Sequence, residues 1–105
     1  MQITQKPFRA LVLREQRVAV DNTIQTIALN SLRAGGTSIR VANSGTNVTY
    51  MSITTGTDAG LTTTNGISLL PNTVECFWVS DEMTNVNFIA AASGNTVGVT
   101  VGEGS

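Results

Sequence analysis

The chain has no histidine, one cysteine, two prolines and, beyond Arg40, no basic residue. Each shortage excludes something. Without histidine there can be no Ser-His-Asp or Cys-His catalysis, no histidine metal site and no histidine pH switch. A single cysteine rules out an intrachain disulfide and a zinc knuckle, and it suits assembly in a reducing cell, where a disulfide would not persist. Charged residues make up 12% of the chain, about half the usual share. No apolar run approaches the ~18 to 20 residues needed to cross a bilayer, and Met1-Gln2-Ile3-Thr4-Gln5-Lys6 lacks a signal-peptide core. Neither membrane association nor secretion is therefore expected. Composition points away from an enzyme and towards a binding or structural module, with no cofactor.

What the chain does have is threonine, serine, asparagine and glycine, 43 residues of 105. Such an excess favours strands and turns over helices, and the length fits one domain. Apolar stretches punctuated by turn residues place strands at 9–14, 17–20 and 23–29, with a turn at Asp21-Asn22. The third stretch has a helical alternative running to Leu32 and ended by Gly35-Gly36, but its β-branched content favours a strand. Residues 37–42 alternate with Ile39 and Val41 on one face and Arg40 on the other. A short Asn43-Ser44-Gly45-Thr46 loop leads to a second alternating run, 47–53, and the pair reads as a β-hairpin. Residues 54–66 are nearly all loop formers, long enough to point to a contact role. Further strands are expected at 67–70, 74–79, 86–92 and 96–101; in 74–79 either alternate set is largely apolar, so it reads as covered on both faces.

The expected fold is all-β: an antiparallel β-sandwich of jelly-roll type with about eight short strands over residues 8–105. Residues 1–7 are expected to form an extended N-terminal arm, with Pro7 marking its end. Its core is expected to comprise Ile39, Val41, Val48, Tyr50, Leu69, Cys76, Trp78, Ile89, Val97, Val99 and Val101.

No candidate for chemistry outweighs a structural role. Cys76 has no basic neighbour in sequence to stabilise a thiolate, so it reads as buried and inert. Trp78 and Tyr50 could stack on a sugar ring, but Trp78 follows Phe77 in the most apolar strand and reads as a core anchor. Asp81 and Glu82 are adjacent and lack a third acidic partner at calcium-loop or hydrolase spacing.

Charge is the remaining signal. All six bases fall in the first forty residues against Glu15 and Asp21, leaving +4 there and −5 in the rest. The bases are scattered, Phe8 is the one aromatic near them, and the isoelectric point is about 5.1. That argues against nucleic acid and for protein docking or plain solvation. The expected docking residues are Lys6, Arg9, Arg14 and Arg17, facing an acidic patch of a neighbouring subunit.

Three strings carry a family resemblance: Ser38-Ile39-Arg40-Val41-Ala42-Asn43-Ser44-Gly45-Thr46, Leu70-Pro71-Asn72-Thr73 with Val74-Glu75-Cys76-Phe77, and Val99-Thr100-Val101-Gly102-Glu103-Gly104. Over residues 37–104 the chain resembles small virion proteins of tailed bacteriophages, in particular the jelly-roll cement or decoration proteins on the outer capsid of short-tailed phages. The resemblance implies a non-enzymatic role on the outer surface of the virion and assembly in the host cytoplasm. It also implies a homodimer or higher homo-oligomer, with the major capsid protein as partner. A receptor- or carbohydrate-binding virion module, with loop 54–66 and Tyr50 as its surface, is the alternative.

Overall fold

A computed structural model describes residues 9–10, 15–29, 37–80 and 82–103. Within them the chain is all-β. The strands are β1 (Arg9–Ala10), β2 (Gln16–Val20), β3 (Gln25–Ala28), β4 (Thr37–Ser44), β5 (Thr49–Thr54), β6 (Ile67–Leu69), β7 (Thr73–Val79), β8 (Asn85–Ala90) and β9 (Asn95–Glu103). The expected strand at 23–29 forms as β3, so its β-branched residues prevail over the helical alternative. The N-terminal arm, residues 1–7, and residues 11–14 of the expected 9–14 strand lie outside the described residues.

The pairing follows one rule. β2 lies against β9, β3 against β8, β4 against β7 and β5 against β6, all antiparallel. This is a single long two-stranded ribbon, folded back on itself at the loop between β5 and β6. Rolling the ribbon up adds two further ladders, β4 with β9 and β5 with β8. The result is two sheets facing each other: sheet A in the order β2-β9-β4-β7, with the short β1 also on β9, and sheet B in the order β3-β8-β5-β6. That is the double Greek-key arrangement of a jelly roll, as the sequence leads one to expect.

Between the sheets lie Val20, Ile27, Leu29, Ile39, Val41, Met51, Leu69, Val79, Val86, Phe88, Ala90, Val97, Val99 and Val101. Period-2 alternation on each strand delivers these side chains to one face. β4 contributes Ile39 and Val41, and β9 contributes Val97, Val99 and Val101.

Several expectations need correction. The hairpin between 37–42 and 47–53 does not exist: β4 and β5 belong to different sheets, and the short loop carries the chain across the sandwich. Asn95 makes the crossing. Its side-chain amide donates to the Asn47 carbonyl at 2.9 Å and to Thr49 Oγ1 at 2.9 Å, and its Oδ1 accepts from the Asn47 amide at 3.1 Å. One buried side chain thus satisfies backbone groups that a hairpin ladder would otherwise pair. Gly45 is required there, because a Cβ at that position would stand 2.0 Å from Asn95 Oδ1. At the same end Asn43 Nδ2 donates to the Leu69 carbonyl at 3.0 Å and to the Asn47 carbonyl at 3.1 Å, tying β4 to β6.

The expected core is also in the wrong phase on three strands. On β5 the inward residues are Thr49 and Met51, leaving Tyr50 and the preceding Val48 half-buried. On β8 they are Val86, Phe88 and Ala90, leaving Ile89 half-buried. On β7, Cys76 and Trp78 face solvent, and the strand is not covered on both faces. Its outward side chains lie on the outer face of sheet A, away from sheet B, so they have no second layer among the described residues to pack on.

Candidate functional site

Two surfaces stand out, one on each sheet. On sheet B, the loop 55–66 lies over the outer face rather than standing free. Asp58 begins this. Its backbone amide donates to Asn87 Oδ1 at 3.2 Å, and its carboxylate accepts the Ser52 hydroxyl at 2.9 Å. Asn65 then closes the loop on itself, accepting from the Thr62 amide at 2.7 Å and donating to the Gly60 carbonyl at 2.9 Å. Leu61 is buried beneath it. The loop's polar groups are therefore largely spent on its own sheet.

Sheet A presents a different face. Cross-strand register sets Trp78, Cys76 and Val74 of β7 opposite Ser38, Arg40 and Ala42 of β4. Those lie in turn opposite Gly102, Thr100 and Gly98 of β9, and Arg17 of β2 lies opposite Gly98. Directly opposed residues share a face. The outer surface of sheet A is thus a floor of small residues with Arg40 near its middle, a basic side chain at one rim and an apolar row at the other.

That apolar row is the most unusual feature of the molecule. Trp78 is 66% exposed and Val74 49%, with Cys76 exposed between them. Leu70 and Ile67, in and before the turn into β7, are 58% and 46% exposed, Ile67 on β6 of the other sheet. All four large exposed hydrophobic residues among those described fall within positions 67–78. An exposed apolar row such as Val74-Cys76-Trp78 marks an interaction site more often than scattered exposure does. Pro71 and Asn72 make the turn, with Asn72 at φ 55°, a conformation asparagine tolerates better than most residues.

The expected docking residues are only partly placed. Lys6 and Arg14 lie outside the described residues. Arg9 is in β1, in register with Glu103. Arg17 projects from the outer face of sheet A, and its Nε donates to Glu15 Oε1 at 2.5 Å. The Glu15 carboxylate covers Gly98, where an added Cβ would approach it to 2.4 Å. Arg40, which the sequence reading did not select, shares that outer face with Arg17. The β7 row was missed as well. Its outward set, Val74-Cys76-Trp78, is more apolar than its inward set, which includes Thr73 and Glu75, so hydrophobicity pointed to the wrong face.

For chemistry the arrangement offers little. Among the described residues no three histidine, cysteine, aspartate or glutamate side chains come together as a metal site. Ser52 and Asp58 are hydrogen-bonded, but the chain has no imidazole to act as base towards the serine hydroxyl. Tyr50 and Trp78 stand on different sheets and do not form one stacking platform. No helix among the described residues is long and apolar enough to cross a membrane. Comparison of the chain with protein-family models, with curated proteins and with solved structures returned no match.

Proposed function

We propose that this protein is a non-enzymatic structural component of a virion, a cement or decoration protein that binds the major capsid protein on the outer surface of a phage head. The observation that carries the reading is the outer face of sheet A. It combines a floor of small side chains with an exposed apolar row and outward arginines. The virion setting rests on the resemblance of residues 37–104 to decoration proteins of short-tailed phages. Low charge and many hydroxyl and amide groups suit a wide, wet interface repeated over many copies, where affinity arises from multivalency.

The test compares shells with and without the protein. Complete particles should survive heat and low salt better than particles lacking it, and equal survival would defeat the proposal. Where the contacts lie is tested separately. Deleting residues 1–7, or replacing Arg14 and Arg17 with alanine, should weaken binding to bare shells and flatten its salt dependence. Unchanged occupancy at every salt concentration would assign the contacts to the loops and the C-terminal half. A glycan-array signal abolished by Tyr50→Ala would instead favour a carbohydrate-binding module.

A further inference from the structure

We propose that Asn65 is a self-modification site: its side chain loses ammonia to ring closure by the Gly66 backbone nitrogen, and this releases the loop 55–66 from sheet B. The inference starts from the dipeptide. Of the nine asparagines in the chain, Asn65 is the only one followed by glycine. Asparagine is among the thermolabile residues, and a following residue without a Cβ leaves the attacking nitrogen least hindered.

The fold demands both members of the pair. A Cβ at Gly66 would stand 2.7 Å from Tyr50 Cβ, 2.9 Å from Leu61 Cδ1 and 3.1 Å from the Met51 nitrogen. The chain can therefore enter β6 beside β5 only as glycine. Asn65 is fixed by two bonds of opposite sense, accepting from the Thr62 amide and donating to the Gly60 carbonyl. An ionised aspartate could accept from Thr62 but has nothing to donate to Gly60. Packing and loop closure thus set the most labile dipeptide of the chain at an exposed position, open to water.

The step balances with one water. The Gly66 nitrogen gives up its proton and bonds to Asn65 Cγ, the Cγ–Nδ2 bond breaks, and ammonia leaves with that proton. The product is a five-membered imide. Water opens it at either carbonyl, giving aspartate or an isoaspartate whose main chain runs through Cγ. While the loop is closed Thr62 and Gly60 engage the amide, so the reaction runs in the locally open loop.

Reclosure is then opposed. In aspartate an oxygen takes the place of Nδ2, 2.9 Å from the Gly60 carbonyl, and an attraction becomes a repulsion. Isoaspartate also adds a main-chain carbon next to Gly66, where neighbours leave no room even for a Cβ. Leu61, buried beneath the loop, loses its cover. Each converted copy carries one further negative charge. The inference concerns the isolated chain and does not rest on the capsid reading.

The experiment ages the purified full chain in mildly alkaline buffer, which favours loss of the attacking nitrogen's proton, and maps its peptides by mass spectrometry over time. Asn65 should gain one mass unit before any of the other eight asparagines, as a mixture of aspartate and isoaspartate. Thermolysin should cut aged protein and Asn65→Asp at Leu61 about tenfold faster than fresh parent chain, because cleavage follows the open population. Asn65→Gln, which keeps a donor and an acceptor but must close a slower six-membered ring, should stay unconverted over the same period. Leu61→Ala loosens the loop without touching the dipeptide, and should speed the loss of ammonia about tenfold with an unchanged far-ultraviolet β spectrum. Earlier conversion at any other asparagine would overturn the inference. So would conversion at Asn65 that leaves Leu61 as protected as before, or a rate that Leu61→Ala does not alter.

Discussion

Asn87 sits on the outward side of β8 yet is fully buried, and four hydrogen bonds explain why. Its Nδ2 donates to Ser52 Oγ at 3.2 Å and to Thr54 Oγ1 at 2.9 Å. Its Oδ1 accepts from Thr26 Oγ1 at 2.8 Å and from the Asp58 amide at 3.2 Å. The amide thereby joins β3, β5, β8 and the start of the loop, and no other side chain of that size has two donors and two acceptor positions. Asn87→Ala should cost about 2–3 kcal/mol, because several buried partners lose their bonds at once. Urea unfolding of the variant checks this, and an unchanged midpoint would refute the hub role. Asp21 plays a smaller, pH-dependent part. Its carboxylate accepts from the Thr23 hydroxyl at 2.6 Å and the Thr23 amide at 2.9 Å. The Thr23 hydroxyl first, then its amide, hold the Asp21 pKa below the ordinary carboxylate value. Because the folded value is depressed, this stabilisation is present above the usual carboxylate range and is lost as pH falls through the lower, folded value. The thermal midpoint should therefore drop more steeply below about pH 4 in the parent chain than in Asp21→Asn. Parallel acid profiles would show that the turn contributes nothing.

The strands themselves were largely legible, their neighbours and faces less so. Alternation marked β4, β5 and β9 within a residue or two, and Pro71 and Gly94 punctuated the chain where it turns. What alternation cannot specify is which strand lies alongside. Asn43-Ser44-Gly45-Thr46 carries hairpin residues, but Asn95, distant in sequence, converts it into a crossing. Face was misread where a large hydrophobic residue stood on the outward side of its strand. In β8 Ile89 competed with Phe88, and in β7 the pair Cys76 and Trp78 outscored the inward Phe77 and Val79. The site was the least legible part, since an exposed apolar row resembles a buried one until the sheet order is known. The misreading and the structure make opposite forecasts for two aromatic residues. Trp78→Ser should alter the stability of the isolated fold by no more than about 0.5 kcal/mol, whereas Phe88→Ala should cost about 3–5 kcal/mol. Chemical denaturation of the two variants, at concentrations low enough to keep the chain monomeric, decides between them.

At the scale of the molecule, nearly every ladder joins distant parts of the chain. β2 and β9 bring Gln16 opposite Val99, and β3 and β8 bring Gln25 opposite Phe88. The one pairing between sequence neighbours, β5 with β6, still spans the loop 55–66. Such topology makes refolding slow, on the order of milliseconds to seconds, and stopped-flow tryptophan fluorescence of the dilute monomer measures it. Refolding within microseconds would contradict the nested order. Val99→Asp, a charge placed between the sheets without a partner, should prevent folding altogether. The same ribbon has a practical side. Arg9 lies beside Glu103 on β1 and β9, at the opposite margin of sheet A from β7. Replacing residues 1–8 and 104–105 with a short glycine linker from Glu103 to Arg9, and reopening the chain near Gly60, should leave every described ladder with its native partner. Such a circular permutant would carry its new ends in the loop on sheet B, and a passenger peptide fused there would be displayed without touching the β7 margin.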